Sequence, residues 1–129
     1  MRKYIITPAL LAIVCMVMCH CTFNPIASVA ANEYLIQGEL ANLPDSIVIG
    51  LYEEDGNILN CVLRDTLMNG QFSFRDTVST TRKMLIMSDN RGFPGTWLEV
   101  WIAPGEYIEI KGQDKLVKTW EVVSDVPEQ

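Results

Sequence analysis

The sequence predicts an all-β fold, a small antiparallel β-sandwich of about seven to eight short strands behind a helical export segment. Three observations predict it. From Glu33 onward, short apolar runs alternate with turn residues at intervals of roughly 8 to 14 residues. No run in that region has helical periodicity. Two dipeptides with strong turn chemistry, Asn69-Gly70 and Pro104-Gly105, each stand directly before a strand-like run.

The first element is an export segment over 1–31. Arg2 and Lys3 form its charged end, Ile5 to Met18 its apolar stretch, and Ser28-Val29-Ala30-Ala31 supplies small residues for cleavage after Ala30 or Ala31. The apolar stretch is shorter than the roughly 20 residues of a membrane-spanning helix, and Pro8 interrupts it. Cys15, Cys19 and Cys21 lie here, so Cys19-His20-Cys21 is expected to be removed rather than to hold a metal. An acylation signal wants a small residue before the modified cysteine. None of the three has one, and Cys21 is the best placed candidate for lipidation.

The domain is expected to span 32–126, with a polar end over 127–129. Leu35-Ile36-Gln37-Gly38-Glu39-Leu40 opens it. Ser46 to Tyr52 reads as a buried strand rich in β-branched residues, followed by a solvated turn over Glu53-Glu54-Asp55-Gly56-Asn57 that lacks the alternating ligands of a calcium loop. Ile58 to Asp65 is the third strand. Its Cys61 sits in the apolar run Leu59-Asn60-Cys61-Val62-Leu63 and is expected to be a buried structural thiol. Asn69-Gly70 ahead of Gln71-Phe72-Ser73-Phe74 is a strong hairpin signal of type I′ chemistry, with Phe72 and Phe74 on one face.

Lys83 to Ser88 is the fifth strand, and Gly92, Pro94 and Gly95 break the loop after it. In Trp97 to Ile102, alternation assigns Leu98, Val100 and Ile102 to the core and Trp97, Glu99 and Trp101 to the other face. Pro104-Gly105 returns the chain through Glu106 to Lys111, with Ile108 and Ile110 inward and Tyr107, Glu109 and Lys111 outward. Thr119 to Val123 is the last strand.

Charge and chemistry narrow the function. The first thirty residues hold two of the ten bases and none of the sixteen acids, so the remainder carries eight bases against sixteen acids, a net −8. That sign argues against nucleic acid, and membrane contact is expected only through the leader or a lipid anchor. His20, the only histidine, lies in the leader, so nucleophilic triads have no base in the mature part. Glu99 and Glu109 on an open strand face lack the apolar pocket that raises a carboxyl pKa. The expectation is a non-catalytic chain without cofactor.

The paired strands around Pro104-Gly105 place Trp97, Glu99, Trp101, Tyr107, Glu109 and Lys111 on the non-core face of one hairpin, provided the alternation is undisturbed, as a docking stripe for a protein partner or a sugar. The plainer expectation is that these rings pack over a sheet edge and enlarge the core, and exposure decides between the two.

The order of Ile36-Gln37-Gly38, Asp65-Thr66, Asn69-Gly70-Gln71-Phe72-Ser73-Phe74, Ala103-Pro104-Gly105-Glu106 and Ile108-x-Ile110-x-Gly112 resembles the domain of unknown function 4369 family. The resemblance covers Tyr34 to about Val123. It implies an exported accessory domain of the Gram-negative periplasm or cell envelope, of the kind that stands before thioredoxin-like or peroxiredoxin-like domains, and hence a thioredoxin-like or other envelope partner. The mature part has no Cys-x-x-Cys, so the redox activity of the longer family members is not carried over. Two rivals remain: a stand-alone carbohydrate- or peptide-binding module, and a redox enzyme using Cys61 with an external thiol.

Overall fold

The computed structural model describes residues 28–129; residues 1–27 of the expected export segment, with Cys15, Cys19 and the candidate acylation site Cys21, lie outside them. Eight strands form two four-stranded sheets: β1 (Glu33–Ala41), β2 (Val48–Asp55), β3 (Ile58–Thr66), β4 (Gln71–Thr77), β5 (Arg82–Met87), β6 (Leu98–Ile102), β7 (Tyr107–Gln113) and β8 (Glu121–Val123). The first sheet has the order β4-β1-β7-β8 and the second β3-β2-β5-β6. The β-sandwich expected from the strand spacing is the architecture observed. One pairing departs from the antiparallel rule, because β1 and β7 run parallel, Ile36 beside Ile108 and Gly38 beside Ile110.

The core lies between the sheets and follows the alternation. Ile36 and Leu40 of β1, Ile49 and Leu51 of β2, Phe72 and Phe74 of β4, Ile86 of β5, Val100 and Ile102 of β6, and Ile108 and Ile110 of β7 are all buried. Phe72 and Phe74 share a face as expected, their ring centroids 5.5 Å apart. No polar or charged residue is buried among the described residues, so apolar packing holds the sheets together.

The first sheet is tightened by aromatic rings laid over glycines. Gly38 lies directly across from Phe72, and a Cβ there would fall 1.9 Å from the Phe72 ring. Gly112 does the same for Trp120, where a Cβ would fall 2.2 Å from the indole. Thr119-Trp120 therefore departs from the expected last strand. The chain makes a short 3-10 turn at Val117–Thr119, and Trp120 is buried with its indole N–H donating to the Asp114 carbonyl at 3.3 Å. Strand β8 begins only at Glu121.

Both strong turn signals are turns, but neither makes the expected hairpin, because the strands on either side enter different sheets. Asn69 (φ 50°) and Gly70 (φ 75°) have the two positive φ values of a type I′ turn, and Met68 and Gln71 exchange backbone hydrogen bonds across it. A side chain at Gly70 would also collide with the Leu40 carbonyl, 2.6 Å away, while the Gly70 carbonyl accepts the Leu40 N–H. The chain then leaves the second sheet and pairs β4 with β1 in the first. Pro104-Gly105 likewise carries it from β6 in the second sheet to β7 in the first. The Gly105 N–H donates to the Glu33 carbonyl, and the Leu35 N–H to the Glu106 carbonyl, which steers β7 alongside β1.

The tight hairpin is β2–β3. It is tighter than expected, with a two-residue loop at Gly56-Asn57 and only the glycine at positive φ, so Glu53, Glu54 and Asp55 belong to β2. Glu53 pairs with Arg82, and Glu54 lies 3.9 Å from Lys83, which ties those carboxylates to β5.

Candidate functional site

The six residues expected on one stripe lie on two opposite surfaces. Because β6 and β7 belong to different sheets, Glu99 and Trp101 face outward from the second sheet, and Tyr107, Glu109 and Lys111 face outward from the first. The single docking stripe is thereby corrected. Its premise was a paired hairpin, and the need of both sheets to bury a face overrode the local turn.

On the second sheet, Trp97 stands just before β6 with 47 % of its surface exposed, beside a shallow basin of ≈ 450 Å³ lined by Gly95, Thr96, Glu99 and Lys118. Trp101 is half-buried and lies opposite Lys83, whose ammonium bridges Glu99 at 3.7 Å and Glu54 at 3.9 Å. The backbone of Trp101 is clipped from the side. The Gln129 amide accepts its N–H at 2.8 Å and donates to its carbonyl at 3.2 Å, reproducing the hydrogen bonds a neighbouring strand would make. Gln129 also donates to the Ser124 hydroxyl at 2.9 Å, so the end expected only to be polar closes the outer edge of β6.

On the first sheet, the Tyr107 hydroxyl donates to Gln37 Oε1 at 2.9 Å, across the parallel β1–β7 pair. Burial, then the neighbouring Glu109 carboxylate, raise its pKa, and Lys111 partly offsets them. Tyr107 and Gln37 form one wall of a shallow basin of ≈ 500 Å³ shared with Glu39, Asp65, Gln71 and Glu109. Asp65 has a structural task there. Its carboxylate accepts the Ser73 N–H at 2.8 Å and so ties β3 to β4 across the open side of the sandwich.

Cys61 is exposed, not buried. It lies on β3, an edge strand of the second sheet, where an uncharged, mostly apolar run broken only by Asn60 meets solvent. Arg64 lies beside Cys61 and the Tyr52 phenol. Tyr52 in turn donates to Asp89 Oδ2 at 2.7 Å. Burial, reinforced by that hydrogen bond and the Asp89 charge, raises the Tyr52 pKa to about 12.

The sequence reading missed the exposed apolar edge of β3. Its only signal was the lack of alternation over Ile58 to Leu63, which also fits a strand buried on both faces.

No family model matches the chain, and no curated protein or solved structure matches it.

Proposed function

We propose that this chain is a non-catalytic, exported accessory domain of the Gram-negative envelope that binds a protein partner through the Trp97 edge of its second sheet. The partner class is a thioredoxin-like domain on another chain, following the resemblance to the domain of unknown function 4369 family. The observation that carries the reading is the half-exposed indole of Trp97 beside Glu99 and Lys118. A rigid ring presented at an open strand end offers a large contact area with little side-chain entropy to lose, which is the character of an interface anchor.

The test is capture from an envelope extract with the matured chain as bait, beside a Trp97→Ala variant. Recovery of a thioredoxin-like protein with the wild type and its loss with the variant are expected. Equal recovery by both would overturn the assignment of the surface. A second reading, a carbohydrate-binding module, is favoured by the Tyr107–Gln37 basin, whose amide, phenol and carboxylates match sugar hydroxyls. Retention on a glycan array that Tyr107→Ala abolishes, with no protein captured, would select it.

A further inference from the structure

Strand β3 is an edge with no protection where protection is usual. Ile58 is 64 % exposed, Leu59 42 % and Val62 40 %, and the six residues from Ile58 to Leu63 contain no charge, proline or glycine. Open edges are normally blunted by charge or proline, because unpaired N–H and C=O groups beside apolar side chains recruit another strand. The other three edges are treated differently. Gln129 clips β6, Asp65 engages Ser73 on β4, and β8 is three residues long.

We infer that β3 pairs antiparallel with β3 of a second copy of this chain, about a two-fold axis at Asn60. Three observations select a second copy. The first is which backbone groups are free. Asp55 and Ile58 flank a two-residue loop and are therefore the pair that exchanges hydrogen bonds, so Leu59 and Cys61 direct their N–H and C=O groups away from β2.

The second is that the run is its own complement. With Asn60 opposite Asn60, Leu59 of each copy meets Cys61 of the other and Ile58 meets Val62, so each of these exposed apolar side chains finds an apolar partner, the two amides face each other, and Leu63 stays packed on its own core. The extra residue Val62, skipped between the Tyr52–Cys61 and Leu51–Leu63 pairs, ends the ladder on each side and fixes the register.

The third is charge. A chain of net −8 outside its first thirty residues repels itself over most of its surface, and this uncharged run is where two copies can approach. In the same register Arg64 of one copy comes to the Glu54–Asp55 end of the other's hairpin. Arg64 and Asp55 form no ion pair within the chain among the described residues, so two complementary contacts form by symmetry.

The dimer carries one continuous eight-stranded sheet, with the two Trp97 edges at its ends on the same face. They are seven strand spacings apart, about 34 Å before twist. That bivalency rests on the proposed role of Trp97, whereas the pairing of β3 does not.

Sedimentation velocity on the matured chain, over micromolar to sub-millimolar concentrations, tests the pairing. A reversible dimer is expected for wild type and for Trp97→Ala. Leu59→Lys should weaken it by a factor of about 100 or more, because the lysine replaces both Leu59–Cys61 contacts. Arg64→Glu should weaken it about tenfold, and adding Asp55→Lys should restore it, which an unfolded variant could not do. Wild-type dimer should also protect Cys61 from a thiol reagent, and Leu59→Lys should remove the protection. Three results would overturn the inference: wild type monomeric throughout, a dimer indifferent to Leu59→Lys, or a monomer that instead pairs with an unrelated extended peptide.

Discussion

The two sheets have the same number of strands and are finished in opposite ways. In the first, Phe72 lies across Gly38 and Trp120 over Gly112, and Asp65 engages the N–H of Ser73 at the β4 edge. In the second, Ile58, Leu59 and Val62 stand in solvent on β3, and Trp97 is half-exposed beside β6. The difference teaches that the two sheets protect their edges unequally. Aromatic-on-glycine contacts occur in both sheets, Phe72 on Gly38 in the first and Tyr52 on Gly50 in the second, so the contrast lies at the edges, where β3 alone leaves a run of apolar side chains in solvent.

The comparison can be broken most severely at Gly38. Gly38→Ala would place a methyl 1.9 Å from the Phe72 ring, and because that ring is enclosed in the core the whole pair must shift. A loss of about 3 kcal/mol is expected in denaturant unfolding. Phe72→Leu in the same chain should return part of it.

Alkaline pH probes one tyrosine in each sheet. Burial, with a smaller contribution from the Asp76 charge, raises Tyr34 in β1 to about 12, and Tyr52 in β2 is raised to the same value. An unfolded tyrosine ionises near 10. Between these values the unfolded chain has lost a proton that the folded chain keeps, so the folded state is penalised progressively as pH rises. The stability is therefore whole below pH ~10 and declines toward ~12, by on the order of 2 kcal/mol for Tyr34. Denaturant midpoints taken across that window should fall for wild type and fall less for Tyr34→Phe.

Asp65 is the smaller lever on the first sheet. Asp65→Ala removes the acceptor of the Ser73 N–H and should cost about 1 kcal/mol, read by thermal unfolding at neutral pH. The smallest effect sharpens the contrast. Leu59→Lys, measured at dilution where the chain is monomeric, should change stability by no more than about 0.5 kcal/mol, since an exposed edge residue contributes little to the fold. A loss as large as that of Gly38→Ala would mean that β3 belongs to the core after all.

Much of the fold was legible residue by residue. The alternation over Leu98 to Ile102 and over Ile108 to Ile110 identified the buried side chains, and the turn chemistry of Asn69-Gly70 predicted a turn with both φ values positive. The candidate site was legible only in part. Trp97 is exposed, as one arm of the docking-stripe expectation required, but its supposed neighbours Tyr107, Glu109 and Lys111 lie on the opposite sheet. Cys61 was misread as buried because Leu59 to Leu63 has no polar face to distinguish an exposed edge from a covered strand. The Gln129 clip on Trp101 had no signature at all, since it joins residues 28 positions apart through one side-chain amide.

The sequence by itself determined the strand content, the inward side chains and the places where the chain turns, because these depend on φ preference and on the period of two within a few residues. Only the tertiary structure decided which sheet each strand enters. A turn sets the local direction of the chain, but the partner a strand takes is chosen by what buries its apolar face. After both Asn69-Gly70 and Pro104-Gly105 that partner was β1, in the opposite layer, at the start of the domain.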